Sequence, residues 1–181
     1  MEFSGLQKIK REFFSRRNGI TAEVLRKGGS PFKIIFGLMI PQLSEIASEV
    51  GKDEHLAELL WDNNSTRCSM LLAPMVMPVE KFTLEKALKW VREIPAREVS
   101  DVLCLKLLSQ TEFQKELFDL LALNDGQQLD LAMRLALQQL RKHGREWESR
   151  AVKAAYHPEA EKNLFLKNQL MEEIEYLKNE S

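Results

Sequence analysis

The stretch QQLDLAMRLALQQL, residues 127–140, decides the fold. Leu129, Ala132, Met133, Ala136, Leu137 and Leu140 recur at the three-and-four spacing of an α-helix and make one broad stripe. Leu131 and Leu135 widen that stripe beyond what a surface helix carries, so other helices must cover this one on most sides. Gly126 starts it and Gly144 stops it. Outward from this segment, residues 84–91 carry Leu84, Ala87, Leu88 and Val91 on a single face behind Thr83 as N-cap, an amphipathic helix that ends near Pro95. The run from Val99 to Leu108 is apolar on too many sides for a surface position and is predicted to be interior.

Upstream, residues 42–50 and 54–61 read as two short helices separated by Gly51-Lys52-Asp53, and residues 65–73 as a third that Pro74 ends or kinks. Gly28-Gly29 breaks a helix. Downstream, Pro158 suits the first position of a last helix whose stripe is Leu166, Leu170, Ile174 and Leu177. No segment alternates with a period of two between hairpin turns, so no sheet is predicted. The segments around Ser69-Met70-Leu71, Asp101-Val102-Leu103 and Ala132-Met133-Arg134 each follow a short helix and a polar turn, and they recur about every 31 to 32 residues. A period of that size marks stacked helical repeats, in which one helix pair cannot bury its apolar face without its neighbours. The expected fold is therefore all-α: a HEAT-like α-solenoid of stacked antiparallel helix pairs forming a single domain over residues 1–181.

Of the 181 residues, 44% are hydrophobic, while eight Gly and six Pro are too few for a turn-rich β architecture. The apolar run from Met70 to Val79 is interrupted by proline and falls short of the ~20 residues that cross a bilayer. Nothing resembles a secretory leader, and Cys68 and Cys104 sit in aliphatic runs, which points to buried thiols in a reducing, cytoplasmic setting rather than a membrane. His55, His143 and His157 form no ligand spacing, and Gly28-Gly29 lacks the Lys-Ser/Thr of a phosphate loop; neither a metal nor a cofactor is expected. The net charge of −1 hides an uneven distribution. Lys8, Lys10, Arg11, Arg16, Arg17, Arg26, Lys27 and Lys33 face only Glu2, Glu12 and Glu23, and a second basic stretch runs through Arg134, Arg141, Lys142, Arg145, Arg150 and Lys153. Brought together, the two would make a cationic face able to neutralise phosphates; apart, they are solvated helix surfaces.

The pieces Phe36-Gly37-Leu38-Met39-Ile40-Pro41-Gln42-Leu43, then Leu56-Ala57-Glu58-Leu59-Leu60-Trp61, then Trp90, then Val99-Ser100-Asp101-Val102-Leu103-Cys104 resemble, in order and spacing, the DNA alkylation repair family of HEAT-like repeat proteins. The resemblance covers roughly residues 35 to 140. It implies a DNA glycosylase that excises N3- or N7-alkylated purines, with a concave basic face holding duplex DNA by its phosphates with little sequence preference, and with water as nucleophile and no cofactor. It places Asp101 at the carboxylate that opens a helix of a central repeat. A fixed carboxylate and aromatic faces suit that chemistry, because cleavage of a cationic base develops positive charge on the sugar.

The pattern is incomplete. Arg97 stands one turn before Asp101 where the family has an aromatic, Leu131 stands at the arginine position with Arg134 a turn away, and Lys153-Ala154-Ala155-Tyr156-His157-Pro158 replaces the later aromatic and arginine segment. Tyr156 and Trp147 are alternative replacements for that aromatic. Asp101 also reads as a helix cap. Trp61 and Trp90 read as core anchors, whereas Trp147, among Arg145, Glu146, Glu148 and Arg150, is the tryptophan best placed for exposure and a ligand role. The sequence thus assigns Arg11, Arg16, Arg17, Lys27, Arg134, Arg141, Lys142, Arg145, Trp147 and Lys153 to DNA contact and Asp101 to catalysis. The competing reading is a non-catalytic helical scaffold that binds a protein partner.

Overall fold

The computed structural model describes residues 5–124 and 126–180, the side chains of residues 126 and 127 excepted; Glu2, counted above in the basic segment, lies outside them. Among the described residues the chain is helical, and the single extended pairing is an isolated bridge between Ile34 and Thr66. The all-α class read from the periodicity is what the structure has. It divides into two units, residues 1–82 with 95–103, and residues 83–94 with 104–181.

The first unit contains α1 (Gly5–Ser15), α2 (Gly19–Lys27), α3 (Ile40–Val50), α4 (Glu54–Asp62), α5 (Arg67–Val76) and most of α7 (Arg97–Lys106). Every residue of α5 is buried, and α3 and α4 pack against it. Trp61 closes the α4 side at 1% exposure, in line with its reading as a core anchor. Asn18 and Asp53 cap α2 and α4 by accepting from the backbone N–H of Thr21 and Leu56. Pro74 does not end α5, which runs on to Val76; the Lys52 ammonium donates to the carbonyls of Met75 and Met77 and satisfies that end. Gly37 has φ +78, and a Cβ there would sit 2.1 Å from the Asn18 oxygen, so this position requires glycine.

In the second unit, α9 (Gly126–His143) is the hub, in contact with α8 (Gln114–Leu121), α10 (Glu148–Ala155), α11 (Leu164–Asn179) and α6 (Leu84–Glu93). Leu129, Leu131, Ala132, Met133, Leu135, Ala136, Leu137 and Leu140 are all buried, as the double-width stripe requires. Thr83 caps α6, which buries Ala87, Trp90 and Val91. Pro158 opens a 3₁₀ stretch (Pro158–Asn163) rather than the last α-helix, which starts at Leu164 under an Asn163 cap. Leu166, Leu170 and Ile174 are its buried stripe. The apolar residues of the predicted interior run 99–108 are buried except Leu105, which is 57% exposed; Asp101 is exposed as well and Lys106 is half-buried.

The repeat period reappears in three dimensions. Within the first unit Arg67 pairs with Glu98, 31 residues on, and Ser44 meets Met75, also 31 on. Within the second, Lys115 pairs with Glu146 and Asp119 with Arg150, both 31 apart, and Arg141 with Glu173, 32 apart. Residues one repeat apart thus sit at matching heights on adjacent helices, as expected of stacked pairs.

Candidate nucleic-acid interface

In the first unit the cations concentrate on α1 and α2. Residues 5–27 hold seven Lys and Arg against two Glu. Lys10, Arg11, Arg17, Arg26 and Lys27 are exposed. Arg17 lies over the ring of Phe14, 3.9 Å from its centroid, and donates to the Phe14 carbonyl, so its guanidinium is fixed in place. Lys27 pairs with Glu23, but both are largely exposed and the pair is weak. Arg16 differs: it bridges Glu12, Glu45 and Glu49, tying α1 to α3, and hydrogen bonding to Glu49 followed by the nearby carboxylates raises its pKa further. Arg16 is thus half-buried and engaged by three glutamates, two of them largely exposed.

In the second unit Lys142, Arg145 and Lys153 are exposed around the end of α9 and along α10. Of the other candidates, Arg134 and Trp147 are buried, and Arg141 is exposed but ion-paired. Arg134 is 5% exposed, and its Nε donates to Asp130 at 2.7 Å, while Asp130 also accepts from Asn163. Arg141 donates to Glu173 at 2.8 Å. Trp147 is 2% exposed, its ring edge-on to Phe118 at 5.9 Å. The Gly144–Trp147 turn swings it into the core, so it is a packing residue rather than a surface contact. Of its polar sequence neighbours, Arg145 and Glu146 are exposed, while the half-buried Arg150 lies over the Trp147 ring at 5.6 Å from its centroid. Tyr156, the alternative aromatic, is 68% exposed.

Asp101 occupies the fifth position of α7, not its first, and is therefore not a cap at the helix start. It is exposed, on the same strip as Arg97 and Leu105 at four-residue spacing. The first turn of α7 below it is anchored. Arg67, 4% exposed, donates from Nε and Nη2 to both carboxylate oxygens of Glu98 at 2.8–3.0 Å and from Nη1 to the Leu38 carbonyl at 2.8 Å. This cluster sets where the α7 backbone carrying Asp101 begins. The thiols are buried: burial raises the pKa of Cys68, and burial followed by Asp130 raises that of Cys104.

One cationic feature was missed. Lys86, Lys89 and Arg92 follow one another at three-residue spacing along the side of α6 away from Ala87 and Val91, and Arg92 also lines a cleft with Leu88, Leu120, Asn124 and Gln128. The signal was present as the i, i+3, i+6 pattern, but it lies in a segment whose overall charge is acidic. Among the described residues no group of three or more His, Cys, Asp and Glu could hold a metal ion, and no helix is long and apolar enough to cross a membrane.

This arrangement defines a class by its fold. A solved structure described as a member of a new family of proteins related to the HEAT-like repeat DNA glycosylases, with affinity for branched DNA structures, superposes with a TM-score of 0.66 at 16% identity, over 96% of this chain and 83% of its own. The chain accordingly has a HEAT-like helical-repeat fold. No protein-family model and no curated protein matches the sequence.

Proposed function

We propose that this chain is a DNA-binding HEAT-like repeat protein that holds duplex DNA by its phosphates with little sequence preference. The exposed cations of α1 and α2 carry the reading, supported by the likeness to a structure whose family has affinity for branched DNA. Phosphate neutralisation needs solvent-facing positive charge and no particular base edge. Of nine cationic candidates, the exposed Arg11, Arg17, Lys27, Lys142, Arg145 and Lys153 are the proposed contacts; Arg134 is buried, Arg16 is half-buried, and Arg141 is exposed but donates to Glu173. The protein would act in the cytoplasm, without metal or cofactor.

Fluorescence anisotropy with a labelled duplex over a salt series tests this. Six contacts give a slope of log K against log salt of about −5. No binding at low salt refutes the proposal. Excision of alkylated purines is the narrower version, with Asp101 as the catalytic carboxylate; it predicts release of 7-methylguanine or 3-methyladenine from alkylated DNA, abolished by Asp101→Asn. Release untouched by that change removes Asp101 from the mechanism. The burial of Arg134 and of Trp147, the latter one of two alternative aromatics, supports a second reading, a non-catalytic scaffold for a protein partner. In that case the DNA assays stay blank while a partner is retained on the immobilised protein.

A further inference from the structure

The outer face of α2 carries side chains that no folding requirement explains. Ile20 is 80% exposed and Val24 64%. They stand one turn apart, with Lys27 continuing the stripe, and the stripe lies opposite Ala22, the buried residue of this helix. Phe14, 58% exposed beneath the Arg17 guanidinium, belongs to the same helix pair. Single exposed aliphatics are ordinary, but two on one helical turn form an apolar ridge, with Arg17 just before the helix and Lys27 at its end, the latter paired with Glu23. The mount is rigid: the Asn18 side chain caps α2, its backbone N–H donates to the Phe36 carbonyl at 2.8 Å, and Gly37 presses directly against the Asn18 backbone.

Resting on the DNA-binding reading above, we propose that the Ile20/Val24 ridge is a wedge for unstacked base steps and so directs the protein to branched or distorted DNA over linear duplex. The flanking cations complement phosphates, and an apolar side chain set among them has the chemistry of groups that insert between partly separated bases. Separation is already made at a junction or mismatch, so insertion costs less there than in an intact stack. A ridge on a fixed helix also loses little conformational freedom when it inserts, unlike one on a flexible arm.

The test compares anisotropy titrations of a linear duplex and a four-way junction for the wild-type chain and for the Ile20→Ser/Val24→Ser double variant. Both positions face solvent, so the variant is expected to fold, which circular dichroism checks. The wild type should prefer the junction by about tenfold or more. The variant should lose that preference while keeping its linear-duplex affinity and salt slope. A second readout is 2-aminopurine placed at the branch point, whose fluorescence should rise on binding wild type and stay flat with the variant. Equal wild-type affinity for the two DNAs, or a preference unmoved by the double variant, overturns the wedge while leaving DNA binding intact. No binding to either DNA overturns both. Wild-type dimers in sedimentation that the double variant dissolves would show that a second copy occupies the ridge, and this also overturns the wedge.

Discussion

Replacing Glu98 by Gln should destabilise the protein far more than loss of a surface ion pair. The Arg67 guanidinium is almost fully buried, and three of its four short hydrogen bonds go to the Glu98 carboxylate. Glutamine keeps the shape but removes the charge, and it turns an amide N–H₂ toward a cation that cannot reach water. Breaking a buried pair in this way costs roughly 3–5 kcal/mol; the Glu98 side chain, at 32% exposure, relaxes partly into solvent, so about 2–4 kcal/mol is expected. For a chain of this size that corresponds to a drop in Tm on the order of 5–15 °C. Arg67→Met removes the buried charge itself and retains the apolar stem, leaving mainly the Leu38 carbonyl without its donor, so it should cost less, about 1–2 kcal/mol. In the double variant, Glu98→Gln should add almost nothing to Arg67→Met. Urea unfolding of the four proteins, with m-values checked for constancy, gives the cycle. A Glu98→Gln penalty under about 0.5 kcal/mol, or the same penalty with and without Arg67, refutes the argument that a buried, paired charge anchors the first turn of α7.

Other expectations follow from particular environments. Gly37→Ala and Gly51→Ala both force alanine into positive φ, but only the former drives a Cβ into backbone; thermal unfolding should show Gly51→Ala costing about 1–2 kcal/mol and Gly37→Ala clearly more. Trp147→Ala should cost about 3–5 kcal/mol in urea, while Trp147→Phe should leave DNA affinity within twofold; a tenfold loss in the latter would return this residue to the interface. Cys68 and Cys104 should react with a disulfide reagent at pH 8 only after denaturation; because burial raises their folded pKa values, the unfolded state alone ionises near pH 9, and stability should fall as pH rises above that point. We also propose that residues 1–181 unfold as one domain, since neither unit is a single contiguous segment; the fluorescence of Trp61 in the first unit and of Trp90 and Trp147 in the second should follow the same urea transition, and separated midpoints would oppose this.

The helices were legible where burial is dictated by spacing. The stripe of α9 could be read because its apolar positions are too many and too regular for anything but a covered helix, and Thr83 and Gly144 marked boundaries by the backbone chemistry those residues perform. Misreadings arose where direction rather than period mattered. Trp147 has charged neighbours, yet a short 3₁₀ turn rotates its ring inward against Phe118, a residue in α8 that no local pattern connects to it. Pro158 fits the first turn of either helix type, and the α-helix waits for the Asn163 cap. Asp101 matched a position in a motif, but α7 begins four residues earlier, at Arg97, which removes a capping role. The pairing of Arg134 with Asp130 was visible at four-residue spacing; its burial was not.

The interface was hard to read for the same reason that the repeats were easy. A period of about 31 to 32 residues places side chains one repeat apart next to each other, and this chain uses several of those meetings for ion pairs: Arg67 with Glu98, Lys115 with Glu146, Arg150 with Asp119, Arg141 with Glu173. A cation in such a tie looks in the sequence like any other cation, because its carboxylate lies a whole repeat away. Composition therefore overstates the charge available to a phosphate backbone. The salt slope counts the phosphate contacts directly: nine would give about −8 and the six proposed ones about −5. If Glu173→Gln freed Arg141 for a phosphate, the slope would steepen by about one, so the ties between repeats also govern how strongly the protein can hold DNA.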